Sequence, residues 1–120
     1  MKNIESLFNI EVMGNDKYWY KLPVKNNKGE SLLIELTKIE CNTKDKNSLP
    51  VLWYKHGYMN RILESYWYVD TYVRDIEGNC YRKYDPTKIN GKINFNWKFE
   101  ATEENKEKLL IEIYNRFINC

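Results

Sequence analysis

The stretch "ESYWYVDTYVRDIEGNCYRKYDP", residues 64–86, holds the key to the fold. From Tyr66 to Arg74 two kinds of residue alternate. The odd positions are Trp67, Val69, Thr71 and Val73; the even ones are Tyr66, Tyr68, Asp70, Tyr72 and Arg74. Successive side chains of a strand point to opposite faces, so a period of two marks a strand. Its odd face is apolar and belongs against a core. Its even face carries phenols and charges, and no core demands them.

"DIEGN" at 75–79 then turns the chain, with Gly78 suited to the left-handed bulge position. If the loop is Ile76–Gly78, Tyr72 opposes Arg82 and Val73 opposes Tyr81. A four-residue loop puts Tyr81 opposite Tyr72. Either register makes tyrosine and arginine neighbours on one face.

Working towards the N-terminus, Phe8, Ile10 and Val12 alternate with polar residues, which is strand spacing. "GND" at 14–16 and "KNNKG" at 25–29 are turn signals around a second strand that begins at Tyr18, Trp19 and Tyr20. Residues 31–40 fit a strand through Leu32, Ile34 and Leu36. They also fit a helical stripe through Leu32, Leu33, Leu36 and Ile39. The hairpin-like turn before them favours the strand. Further on, Ser48 caps a short helix with Pro50 in its first turn. Leu49, Leu52, Trp53 and His56 would form its inner face, and Gly57 its left-handed end.

Towards the C-terminus, "DPTKING" at 85–91 reads as a loop and "KINFNWKF" at 92–99 as a strand. Ile93, Phe95, Trp97 and Phe99 share one face of it; Lys92, Asn94, Asn96 and Lys98 share the other. Thr102 is an N-cap, with Glu103 and Glu104 in the first turn, where the helix dipole favours negative charge. Leu109, Leu110, Ile113, Tyr114 and Phe117 form the buried stripe of a helix over 102–118. Glu104–Lys108 and Glu112–Arg116 are spaced to pair along its outer side.

These elements predict an α+β domain spanning residues 1–120. Its antiparallel sheet has five or six strands arranged as a meander of hairpins. The C-terminal helix and the short middle helix pack on one face, over Trp67, Phe95 and Trp97. A chain of 120 residues buries roughly two-thirds of its unfolded surface, enough for a core without staples.

The chemistry available is narrow. Net charge is +2, which implies no global affinity for polyanions. Charge is uneven along the chain, with Arg82, Lys83, Lys88, Lys92 and Lys98 followed by glutamates from Glu100 to Glu112. Cys41, Cys80 and Cys120 are too widely spaced for a zinc ribbon or a redox pair, and read as free thiols. His56 is the one histidine, and reads as a half-buried residue at the end of the short helix. With neither a second histidine nor paired cysteines, no metal site is expected. No glycine-rich phosphate loop and no nucleophile elbow occurs, so neither cofactor nor catalytic residue is assigned. Glu5 interrupts the apolar run that a secretory signal needs, and no run of about 18 apolar residues is present. The reading is a cytoplasmic protein with no membrane contact.

In length, in its Asn/Lys/Tyr-rich composition and in its lack of catalytic marks, the chain resembles small accessory proteins of phages and mobile elements in low-GC bacteria. That resemblance implies a stoichiometric binder, such as an inhibitor of a host defence complex.

The expected function is therefore non-enzymatic protein binding through Tyr66, Tyr68, Tyr72, Arg74, Arg82 and Tyr84, since tyrosine and arginine are enriched at interface hot spots. A homodimer through this face is a variant of the same idea. The alternative is a nucleotide or single-stranded nucleic acid, stacked on tyrosines such as Tyr81 and held by Lys83, Lys88, Lys92 and Lys98. An enzyme without a recognisable motif is the third reading, and it would need a cleft gathering His56 or several carboxylates.

Overall fold

The computed structural model describes residues 3–74, the backbone of 81–83, and residues 100–119. A 3-10 turn, Ile4–Leu7, leads into β1 (Asn9–Gly14), β2 (Lys17–Leu22) and β3 (Ser31–Glu40). Helix α1 (Leu49–Lys55), β4 (Ser65–Arg74), the three-residue segment β5 (Tyr81–Lys83) and helix α2 (Glu103–Ile118) follow. The chain is α+β, and every pairing in its sheet is antiparallel. Strands β1 to β4 lie side by side in chain order, and β5 adds a short edge to β4. Among the described residues four full strands are seen, with β5 as a three-residue edge, fewer than the five or six full strands expected. The expected strand at 92–99 lies outside the described residues.

Each turn has a local cause. Between β1 and β2 the chain reverses through Asn15 and Asp16, with Asp16 left-handed at φ 59°. Between β2 and β3 the buried Asn26 organises the loop. Its side-chain oxygen accepts from the Lys28 N–H at 3.0 Å and the Glu30 N–H at 2.9 Å, and its amide donates to Glu30 Oε1 at 3.0 Å. Gly29 supplies the positive φ of 77°.

The ambiguous segment 31–40 is a strand, as its preceding turn predicted. It resembled a helix because it is central: Leu32, Ile34 and Leu36 are fully buried on one face, and Leu33 is buried on the other. With Leu33 buried on its second face as well, the strand loses its clean alternation at that point.

Strand β4 alternates as read. Trp67, Thr71 and Val73 are buried on the side of α2, where Leu109, Leu110, Ile113 and Phe117 complete the main core with Tyr20, Leu22, Leu32, Ile34 and Leu36. Burial of each large apolar side chain stabilises the fold by about 1.5–3 kcal/mol. Thr102 caps α2 as expected, its hydroxyl accepting from the Asn105 N–H at 3.1 Å. The pairs Glu104–Lys108 and Glu112–Arg116 form at 3.5 and 3.1 Å. The Trp67 indole N–H donates to the Thr102 carbonyl at 2.9 Å, fixing the start of α2 against the sheet.

Three expectations are corrected. First, the helices do not share a face. Trp53 of α1 packs with Leu63 and Tyr66, against Ile39, Cys41 and Met59. Ile39 and Tyr66 are paired on the side of the sheet opposite α2. Alternation says that a strand has two faces but not which one a distant helix will cover. Second, the inner face of α1 is Pro50 and Trp53, while Leu49 and His56 are exposed. The Ser48 side chain stands at the N-cap without a capping hydrogen bond. Third, the β4–β5 register is Tyr72↔Lys83, Val73↔Arg82 and Arg74↔Tyr81, shifted from both sequence-derived alternatives. At the N-terminus, Phe8 is buried before β1 begins, whereas Ile10 and Val12 on β1 stay exposed, Val12 at 72%.

Candidate functional site

The sheet face away from α2 is built in rows, because antiparallel registers place one residue from each strand side by side, about 4.8 Å apart. One row is Lys17–Thr37–Tyr68. The next is Glu11–Trp19–Glu35–Asp70, and the third is Asn9–Lys21–Leu33–Tyr72. Ser31 and Arg74 follow at one end. At the other end lies the Ile39–Tyr66 pair, roofed by α1.

The middle row is tied together electrostatically. Glu35 and Asp70 are directly opposed, an arrangement that like charges disfavour. Counter-groups offset it on the β2 side. The Trp19 indole N–H donates to Glu35 Oε2 at 2.7 Å, and Lys17 Nζ lies 4.0 Å from Glu35 Oε1. Lys21 Nζ stands 5.6 Å from the Trp19 ring centroid and 3.6 Å from Glu11. The half-buried indole is thus held between a carboxylate and an ammonium.

The sequence-derived site residues divide. Tyr68 is 43% exposed, Arg74 is exposed and Tyr72 is half-buried on this face. Tyr66 is corrected: it is 7% exposed, set edge-to-face against Trp53 at 5.0 Å between centroids, so its phenol is sealed within the chain. Burial raises the Tyr66 pKa, with Cys41 and Tyr68 adding to the shift. The backbone of Arg82 pairs with Val73 rather than with Tyr72, so the expected Tyr72–Arg82 neighbours are not formed. Tyr81 and Lys83 pair with Arg74 and Tyr72 in the β5 backbone. Tyr84, Lys88, Lys92 and Lys98 lie outside the described residues.

Sequence reasoning missed Lys17, Trp19 and Lys21. Their alternation was visible, but their place beside Glu35 and Tyr68 depends on long-range register. It also missed a polar cluster on the opposite side. The Lys106 side chain is buried on α2. Its Nζ lies 2.9 Å from Glu5 Oε1 and 2.7 Å from Glu103 Oε2, with the Tyr18 and Trp67 ring centroids at 6.0 and 5.9 Å. Burial disfavours the ammonium, but hydrogen bonds to Glu103 and Glu5 more than offset that, holding its pKa above the ordinary lysine value. The Tyr20 hydroxyl donates to Glu5 at 3.3 Å, and burial pushes its pKa up to about 12. The signal for this cluster was Lys106 itself, a cation three residues before the apolar stripe of α2.

His56 is exposed at the C-cap of α1, not half-buried as read from the sequence. Cys41 is half-buried, its thiol pKa raised by burial and by Glu40. Among the described residues no group of three or more His, Cys, Asp or Glu could hold a metal ion, and no helix is long and apolar enough to cross a membrane. No protein family, no characterised protein and no solved structure matches the chain.

Proposed function

We propose that this chain is a non-enzymatic, cytoplasmic binding module that docks a protein partner on the open face of its sheet, with Trp19 and Tyr68 as anchors. Stoichiometric inhibition of a host complex, in the manner of phage and mobile-element accessory proteins, is the biological form that this reading takes.

The observation that carries it is the composition of the rows. Large rings, Trp19 and Tyr68, stand among charges of both signs: Lys17, Lys21 and Arg74 against Glu11, Glu35 and Asp70. Rigid aromatic anchors within a mixed polar rim are the usual make-up of a protein interface. A phosphate backbone asks for a predominantly positive face. Here three carboxylates sit among the cations, which favours protein over nucleic acid. The strongly shifted Tyr20 and Lys106 are engaged with Glu5 and Glu103 beneath α2, in a structural cluster rather than a cleft.

The test is quantitative pulldown from host lysate with the wild type and with Trp19→Ala/Tyr68→Ala. Loss of one partner at equal folded content is expected, and equal recovery of every partner rejects the face. Oligonucleotide titration followed by tryptophan emission separates the nucleic-acid reading. Quenching at low salt that fades as salt rises would favour that reading instead.

A further inference from the structure

We propose that residues 3–14 are an exchangeable element, and that a second copy of this chain seats its own residues 3–14 in the same place, giving a reciprocal dimer. The seat is well defined. Ile4 and Phe8 are buried in the main core, and Phe8 lies edge-on to Tyr20 at 5.9 Å between centroids. Glu5 reaches Lys106 at 2.9 Å and accepts from Tyr20 at 3.3 Å. Strand β1 then pairs with β2 from Asn9↔Lys21 to Gly14↔Lys17. All these contacts join residues 3–14 to residues beyond the turn, so each forms equally well when the segment comes from another molecule.

The link that keeps them within one molecule is short. It is the Asn15–Asp16 turn, with Asp16 left-handed at φ 59° and its carbonyl accepting from the Lys38 N–H at 2.8 Å. Aspartate tolerates that backbone region better than most residues but less well than glycine, so an extended hinge relieves a modest cost in each copy. Short, strained hinge loops favour such exchange. Strand β1 is the sheet edge and its side chains are exposed along its whole length, so no further strand must be displaced. Charge supplies the specificity: the incoming segment must bring an acid to Lys106. Because the monomer closes its own turn, the dimer share rises with protein concentration.

Reciprocal charge reversal tests this on the full chain. Glu5→Lys and Lys106→Glu each break the pair within their own molecule. In a mixed exchanged dimer both pairs are restored. The two variants are refolded separately and as an equimolar mixture, and mass is read by sedimentation. About tenfold more of a species of twice the chain mass is expected in the mixture than in either variant alone. A mixture whose mass distribution equals that of the separate variants overturns the proposal, whether or not the single variants fold. As a second reading, Asp16→Gly relaxes the turn and lowers the dimer share of the otherwise wild-type chain about fivefold. An unchanged share removes the turn from the argument, and with it the exchange.

Discussion

The two faces of this sheet are made by the same strands and solve opposite problems. Beneath α2, the residues of β2, β3 and β4 interlock with Leu109, Leu110, Ile113 and Phe117 in a continuous core. On the other side, α1 covers one end only, through Trp53 and Tyr66, and leaves rows of rings and charges beyond it. Alternation along a strand distributes residues between two faces. It is the neighbouring helices that decide how much of each face is interior. On the proposed reading, stability and recognition are therefore separable, residue by residue along one strand.

The sharpest way to break that separation is to attack the closed face. Phe117→Ala, at a fully buried position, is expected to cost about 3–5 kcal/mol in chemical denaturation. A loss under 1 kcal/mol would mean that α2 does not carry the core. Trp53→Ala comes next, at about 3 kcal/mol or somewhat less because its cluster is small. It should also expose Tyr66, which tyrosine nitration mapped by mass spectrometry can detect.

The Lys106 cluster gives a pH signature. The folded pKa values of Lys106 and Tyr20 are both raised, so the folded chain holds these protons more tightly than the unfolded one. Their contribution is fully present below about pH 10, the unfolded range, and is lost as pH rises through the folded values. Thermal melts should fall steeply above that point. Lys106→Met with Tyr20→Phe should flatten the fall; an unchanged slope would place the alkaline transition elsewhere. The smallest effect on stability belongs to the open face. Tyr68→Ala should shift stability by no more than about 0.5 kcal/mol, while removing the partner captured by the wild type.

Much of this was legible in the chain. Thr102 followed by two glutamates and a spaced apolar stripe specifies α2 through local chemistry alone, and it stands where it was read. The alternation from Tyr66 to Arg74 was equally local. What was not legible depends on residues far apart. Leu33 makes β3 look helical until one knows that it is the central strand. Tyr66 looked available because Trp53, thirteen residues earlier, gives no sign of which side it will cover. Nothing local marks Lys106 as buried, and only the fold brings Glu5 within 2.9 Å of it.

The unused cap at Ser48 has a consequence for motion. Helix α1 spans seven residues, too few to persist by backbone hydrogen bonding alone, and its first turn lacks the side-chain acceptor that usually secures it. It is held by two buried side chains, Pro50 and Trp53. Such a segment unravels at a small fraction of the free energy of global unfolding, so its amides should exchange with deuterium long before those of β3. Each such excursion would uncover the Tyr66 phenol beside Tyr68, which makes the extent of the open sheet face a dynamic quantity.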